Sequence, residues 1–174
     1  ADRRGYVVAA GLCGNRIEIE HYRRKALEAF GARSSFVEDR QTSSLYESIR
    51  DFEFKPPHFA AQLSVSPGLL EKCIAEIEQI ASVEFVAYAG SGVARVFIPA
   101  DRGTRDLAGA ARRIRAIARA ARGHMRVVRA PRELTATVAV FDEPNAQAFA
   151  LMRRLKQSFD PAGIFNPGCF VGGL

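Results

Sequence analysis

Residues 59–98 read FAAQLSVSPGLLEKCIAEIEQIASVEFVAYAGSGVARVFI, and the fold is decided here. Phe59, Ala61, Leu63 and Val65 alternate with small or polar residues, which gives an extended strand one apolar face. Ser66 and Pro67 supply an N-cap and a first-turn proline. Leu70, Cys73, Ile74, Ile77 and Ile80 then recur at helical spacing and predict a helix reaching about Ala81. Two more strand-like runs, 83–89 and 93–98, flank Gly90-Ser91-Gly92, a hairpin turn built from residues that tolerate positive φ.

Working outward, a long helix is expected from about Arg105 to Arg122, and a strand over 125–129. Strand, helix, hairpin, helix, strand is the order of a split βαβ unit. The expected fold is therefore α+β: a ferredoxin-like antiparallel sheet with helices on one face. Upstream, Asn15 and Glu18 form a capping-box pattern. Ile19, Tyr22, Ala26 and Phe30 follow on one helical face, and Gly31 closes the helix. With extended runs at 6–10 and 35–38, this predicts an extra strand-helix-strand unit lengthening the same sheet. Ser44 and Glu47 suggest a second capping box, for a short helix buried through Leu45, Ile49 and Phe52. After Pro131 an extended crossing over 134–141 leads to a last helix from about Asp142 to Phe159, buried through Phe149, Met152 and Leu155.

The 174 residues suit one domain, and an apolar share of 48% with a charged share of 25% excludes a disordered chain. No apolar run is long enough to span a membrane, and no secretory signal is evident. Cys13, Cys73 and Cys169 are odd in number and far apart, which argues against a disulfide framework and a zinc site and makes a cytoplasmic compartment the default. The start at Ala1, without Met, suits a piece of something longer. The net charge of +6 is carried mainly by arginine. On a helical wheel Leu107, Ala110, Ala111, Ile114, Ile117, Ala118 and Ala121 take one side of the 105–122 helix. Arg105, Arg112, Arg113, Arg115, Arg119 and Arg122 take the other, and the plain reading of these is a solvated face. No aromatics interleave them, which argues against single-stranded nucleic acid as a partner.

The last residues are the most specific. Leu151-Met152-Arg153-Arg154-Leu155-Lys156 is followed by Phe159-Asp160-Pro161-Ala162-Gly163-Ile164-Phe165-Asn166-Pro167-Gly168, and the chain ends Phe170-Val171-Gly172-Gly173-Leu174. This resembles the C-terminal signature of the FAD-linked oxidases, the vanillyl-alcohol-oxidase-like flavoproteins, in which a lysine-bearing helix ends in a DP-x-G-I-x-NPG loop. The FVGGL ending is most similar to the FAD-binding subunits of glycolate oxidases. Leu45 to Arg50, and Ala130-Pro131 followed by 138–144, agree with the family in order.

The resemblance implies one C-terminal cap, or substrate-side, domain over residues 1–174, whose tail 160–174 packs toward an FAD domain absent from this chain. FAD is bound mainly by that N-terminal domain, so the isolated chain is expected to be inactive. The implied activity is FAD-dependent oxidation of a small 2-hydroxy acid, glycolate-like. The implied partners are the chain's own FAD domain, a second flavin subunit and an iron-sulfur subunit. Nucleic acid is not expected, and the location is cytoplasmic or peripheral at the inner membrane through partners. Catalytic candidates are Arg95 for the substrate carboxylate, with Arg50 or Arg132 as alternatives to it, Tyr88 as a hydrogen-bonding group and His58 as a base. Lys156, Asn166, Pro167 and Gly168 are the candidates on the cofactor side. Relatives carry a His-x-Gly-Asp-Gly-Asn-x-His hairpin that can hold a metal. Here the stretch is Tyr88-Ala89-Gly90-Ser91-Gly92-Val93-Ala94-Arg95, so no metal is expected. The loss of that histidine pair also allows a subunit whose flavin relays electrons or supports assembly. The competing readings are a stand-alone ferredoxin-like module for RNA or an anionic ligand, and an assembly domain.

Overall fold

The alternation over residues 59–65 becomes the central pleat of the structure, a computed structural model that describes residues 6–31, 35–38, 40–51, 57–99 and 106–174. The chain divides into two units, Ala1–Glu47 and Ser48–Leu174. The second holds a four-stranded antiparallel sheet in the order β2-β3-β1-β4. Its strands are β1 Pro57–Ser64, β2 Glu84–Tyr88, β3 Val93–Pro99 and β4 His124–Arg129. Between β1 and β2 come a short 3-10 turn, Pro67–Leu69, and α3 (Leu70–Glu78); between β3 and β4 comes α4 (Leu107–Ala120). This is the expected split βαβ order.

The core lies on one face of this sheet. Phe59, Ala61 and Leu63 of β1, Ala94, Val96 and Ile98 of β3 and Met125 of β4 point into it. They meet Leu70, Cys73, Ile74 and Ile77 of α3, and Ala110, Ala111, Ile114 and Ala118 of α4. Alanines on α4 let the helix backbone approach the sheet, and burying each large aliphatic side chain stabilises the fold by about 1.5–3 kcal/mol. The Cys73 thiol is pushed up chiefly by burial, with nearby Glu76 adding to this and Lys72 opposing it, so it packs as a small apolar group.

The hairpin forms as its glycines predict. Gly92 has φ +69, and a β-carbon there would run into the Val65 carbonyl oxygen. Close packing and positive φ coincide at this residue. The Val65 amide donates to the Gly92 carbonyl at 2.9 Å, tying the end of β1 to the turn. Farther on, a four-residue helix α5 (Arg132–Thr135) opens the crossing, which is not extended there as expected. The crossing then lies along β4, where Val127 N donates to Val140 O at 2.8 Å.

In the first unit α1 (Arg16–Phe30) begins with the expected capping box. The Asn15 side chain accepts from the Ile17 and Glu18 amides at 3.0 Å each, and Glu18 Oε2 accepts from the Asn15 amide at 2.8 Å. Four expectations need correction. Residues 6–10 and 35–38 are not strands, so no extra strand-helix-strand unit joins the sheet; a short apolar run becomes a strand only when it pairs. α2 runs Arg40–Asp51, which places Ser44 inside the helix and not at its cap, and Phe52 lies outside the described residues. The last helix, α6 (Ala146–Phe159), starts at the Asn145 cap and not near Asp142, and it has no buried residue. Phe149 and Met152 are half-buried and Leu155 is 48% exposed. Ser66 also makes no side-chain cap, and Arg105 lies outside the described residues.

Replacing Gly92 with Ala is expected to cost about 1–3 kcal/mol, from strain at positive φ and from displacement of the Val65 carbonyl. Gly90→Ala, with open space around it and no positive φ, should stay within about 0.5 kcal/mol of the parent. Urea unfolding of the two variants checks the difference.

Candidate functional site

With both α3 and α4 on one side, alternate residues of the strands are left on the other, and the pairing registers set them in rows. Val86 of β2 is opposite Arg95 of β3, Arg95 is opposite Gln62 of β1, and Gln62 is opposite Arg126 of β4. One cross-strand row therefore carries two guanidinium groups on either side of an amide. Arg126 Nη2 donates to Gln62 Oε1 at 3.0 Å, and Arg95 is half-buried. The next row holds Tyr88, Val93, Ser64 and His124. Tyr88 is 45% exposed, and His124 and Arg126 are exposed. Diagonal neighbours on adjacent strands are about 7–8 Å apart, which brings the Tyr88 ring and the Arg95 side chain within reach of one small molecule.

The candidates read from sequence separate on this frame. Arg95 and Tyr88 share the face opposite α3 and α4. His58 lies near the start of β1, and Tyr88 sits in the row of Ser64 at the other end of that strand, six residues or about 20 Å away. The His58 side chain lies outside the described residues. Gln62, Arg126 and His124 were missed by sequence reasoning. Alternation assigns all three to the face opposite α3 and α4, and pairing register, which the chain order of a split βαβ unit fixes, would have brought them beside Arg95 and Tyr88.

The second cluster is the loop after α6. Asp160 is only 6% exposed, and its carboxylate gathers the loop around itself. Oδ1 accepts from the Ile164 amide at 2.9 Å; Oδ2 accepts from the Phe165 amide at 3.0 Å and from Lys156 Nζ at 2.5 Å. Lys156 Nζ also donates to the Phe165 carbonyl at 2.6 Å, which makes this lysine a clamp of the loop. The Lys156 hydrogen bond, opposed by desolvation and aided by the Phe165 and Ile164 amides, holds Asp160 below the usual carboxylate range. In the sequence Asp160 stands out only as the first residue of the DP-x-G-I-x-NPG loop. Asn166, Pro167 and Gly168 form an exposed turn closed by Cys169 N donating to Asn166 O at 3.1 Å. Asn166 has φ +46, which its side-chain type tolerates, and Gly168 has φ +72.

Around this clamp the apolar side chains face outward. Leu151, Leu155 and Phe159 recur at four-residue spacing along one ridge of α6, and Phe159 is 81% exposed. Ile164, Phe165 and Phe170 continue the exposed set, although Phe170 also meets the Phe141 ring edge-on with centroids 5.6 Å apart. Among the described residues no group of three or more His, Cys, Asp or Glu converges as metal ligands, and no helix is long and apolar enough to cross a membrane.

Residues 137–169 match the family model described as FAD linked oxidases, C-terminal domain. The matched stretch runs from the crossing through α6 and the Asp160 loop. It supports a flavin-oxidase C-terminal domain, from an oxidoreductase family whose intact enzymes bind FAD. No curated protein and no solved structure matches the chain.

Asp160→Asn keeps the side-chain shape and removes the charge. Exchange of the Ile164 and Phe165 amides is expected to quicken several-fold. Because Asp160 is depressed in the folded state, its contribution is present above the ordinary value of 3.8 and is lost as pH falls through the lower folded value. Hydrogen exchange followed from pH 6 downward checks both statements (about neutral to acid, spanning the usual carboxyl range). Equal rates in parent and variant at every pH would refute the clamp.

Proposed function

We propose that this chain is the substrate-side cap domain of an FAD-dependent oxidase or dehydrogenase of small 2-hydroxy acids, glycolate-like in substrate, with the flavin held mainly by a separate N-terminal domain. The observation that carries the reading is the uncovered apolar ridge of α6 and its loop, lying within the stretch that matches the flavin-oxidase family. A contiguous apolar surface of this kind is stable when it is covered. An FAD domain docked there meets Leu155, Phe159 and the Asn166-Pro167-Gly168 turn.

The residues present fit a flavin brought from outside. Tyr88, Val86 and Val93 offer a half-exposed, largely apolar patch for a flat ring, and arginines lie beside it for an anionic substrate. A bound flavin would supply the acceptor for the hydride equivalent of the alcohol carbon. Arg95, with Arg126 across Gln62, binds the substrate carboxylate; a planar guanidinium makes two parallel hydrogen bonds to it. Tyr88 donates to the substrate hydroxyl and fixes its orientation. The hydroxyl proton passes to a histidine. His124 in the Tyr88 row is the candidate that the register allows, whereas His58, the candidate from sequence, lies at the far end of β1. The proposed partners are a second flavin subunit and an iron-sulfur subunit, which would carry electrons onward in a cytoplasmic assembly or one peripheral at the inner membrane.

The test joins this chain to the flavin-binding half proposed for it and follows anaerobic bleaching of the flavin on adding glycolate or D-lactate. Bleaching is expected in the joined protein and not with the chain plus free FAD. Arg95→Gln is expected to raise the half-saturating substrate concentration about 10- to 100-fold, consistent with loss of one charge-assisted carboxylate contact. Leu155→Asp with Phe159→Asp is expected to prevent assembly of the two halves. Assembly unaffected by the double variant would overturn the docking, and bleaching unaffected by Arg95→Gln would overturn the site.

A further inference from the structure

The arginine face of α4 is not uniformly solvated. Arg112, Arg115 and Arg119 follow one another at three- and four-residue spacing, and they form one wall of a cleft of about 380 Å³. Ala139, Phe141 and Glu143 of the crossing form the other wall. The Arg115 side chain is only 11% exposed and is fixed in place. Its Nε lies 3.0 Å from Asp142 Oδ1, and its Nη2 donates to the Ala139 carbonyl. Arg119 Nε donates to the same Asp142 Oδ1 at 3.2 Å, while Asp142 Oδ2 is taken by the Met125 amide at 2.7 Å. One carboxylate therefore serves two guanidinium groups and a backbone amide. Arg112 is exposed and has no acidic partner among the described residues, and Glu143 is exposed at the same cleft. Three guanidinium groups against two carboxylates leave the cleft with a positive charge. Burial lowers the Arg115 pKa, Asp142 raises it and Arg119 lowers it further, and a guanidinium so placed stays charged.

We infer that this cleft binds a small phosphate-bearing anion, taken by the forks of Arg112 and Arg119 with Arg115 as the fixed charge behind them. A guanidinium fork matches two phosphate oxygens, and a doubly charged group outweighs what the single neighbouring Glu143 repels. The cleft is of the size that small-molecule sites have, about 300–1,000 Å³, and Ala116 and Phe141 leave an apolar side for the rest of the ligand. The site lies on the helix-covered side of the sheet, away from the Arg95 row, and stands whether or not the proposed oxidase reading does.

The test is calorimetric titration of the 174-residue chain with sodium pyrophosphate at about 0.15 M salt, where diffuse surface attraction is screened beyond about 8 Å. One saturable site is expected. Arg112→Gln and Arg119→Gln should each weaken it about tenfold, the loss of one charge-assisted contact. Arg113→Gln removes the same charge from α4 at an exposed position outside the cleft and should leave binding within about twofold. A parallel arm uses phosphatidylglycerol vesicles at the same phosphate concentration, and no Arg112-dependent binding to them is expected. Unsaturable heats, equal loss in all three variants, or Arg112-dependent binding to vesicles alone would overturn the site.

Discussion

A pleated strand sends neighbouring side chains to opposite sides, and in this molecule both packed helices sit on the same side. Every second residue of β1 and β3 is thereby committed to the core. Ala94 and Val96 are almost wholly buried, and the Arg95 between them has its backbone fixed by that burial while its side chain faces away. Positioning of the polar row thus comes from apolar packing that the row itself does not touch.

The end of the chain solves a different problem. After α6 the backbone must turn through several residues whose amides have no helical partners, and Asp160 satisfies two of them while Lys156 neutralises it. The polar groups are spent inward and the greasy ones stand outward. Phe159, Ile164 and Phe165 are presented by a rigid base, so a partner surface would pay little ordering entropy in meeting them.

The sheet was legible because alternation at Phe59–Val65, a hairpin at Gly90–Gly92 and helical spacing at Leu70–Ile77 each point to the same topology. α1 was legible for the same kind of reason, its Asn15–Glu18 box being a local pattern with a local consequence. What failed was non-local. Tyr6–Ala10 is apolar enough for a strand, but pairing depends on an available edge that no local pattern reports. Helical spacing marked Phe149, Met152 and Leu155 as the side of α6 that wants cover and could not show that Leu155 stays half exposed: it is apolar whether or not anything lies over it. Of the open face, Arg95 and Tyr88 were found through a resemblance, whereas Gln62, Arg126 and His124 needed the register. Asp142, which joins Arg115, Arg119 and the Met125 amide, had no signature beyond its charge.

The two margins of the sheet are unequal. Along β4 the chain supplies its own covering, since Asp142 and Val140 take the Met125 and Val127 amides. Along β2 no strand of the described residues follows, and the margin is five residues long with an exposed Glu84 at its start. A margin this short, opening on a charge, offers another strand little to pair with, and the pairing of β2 is carried on its inner side by β3.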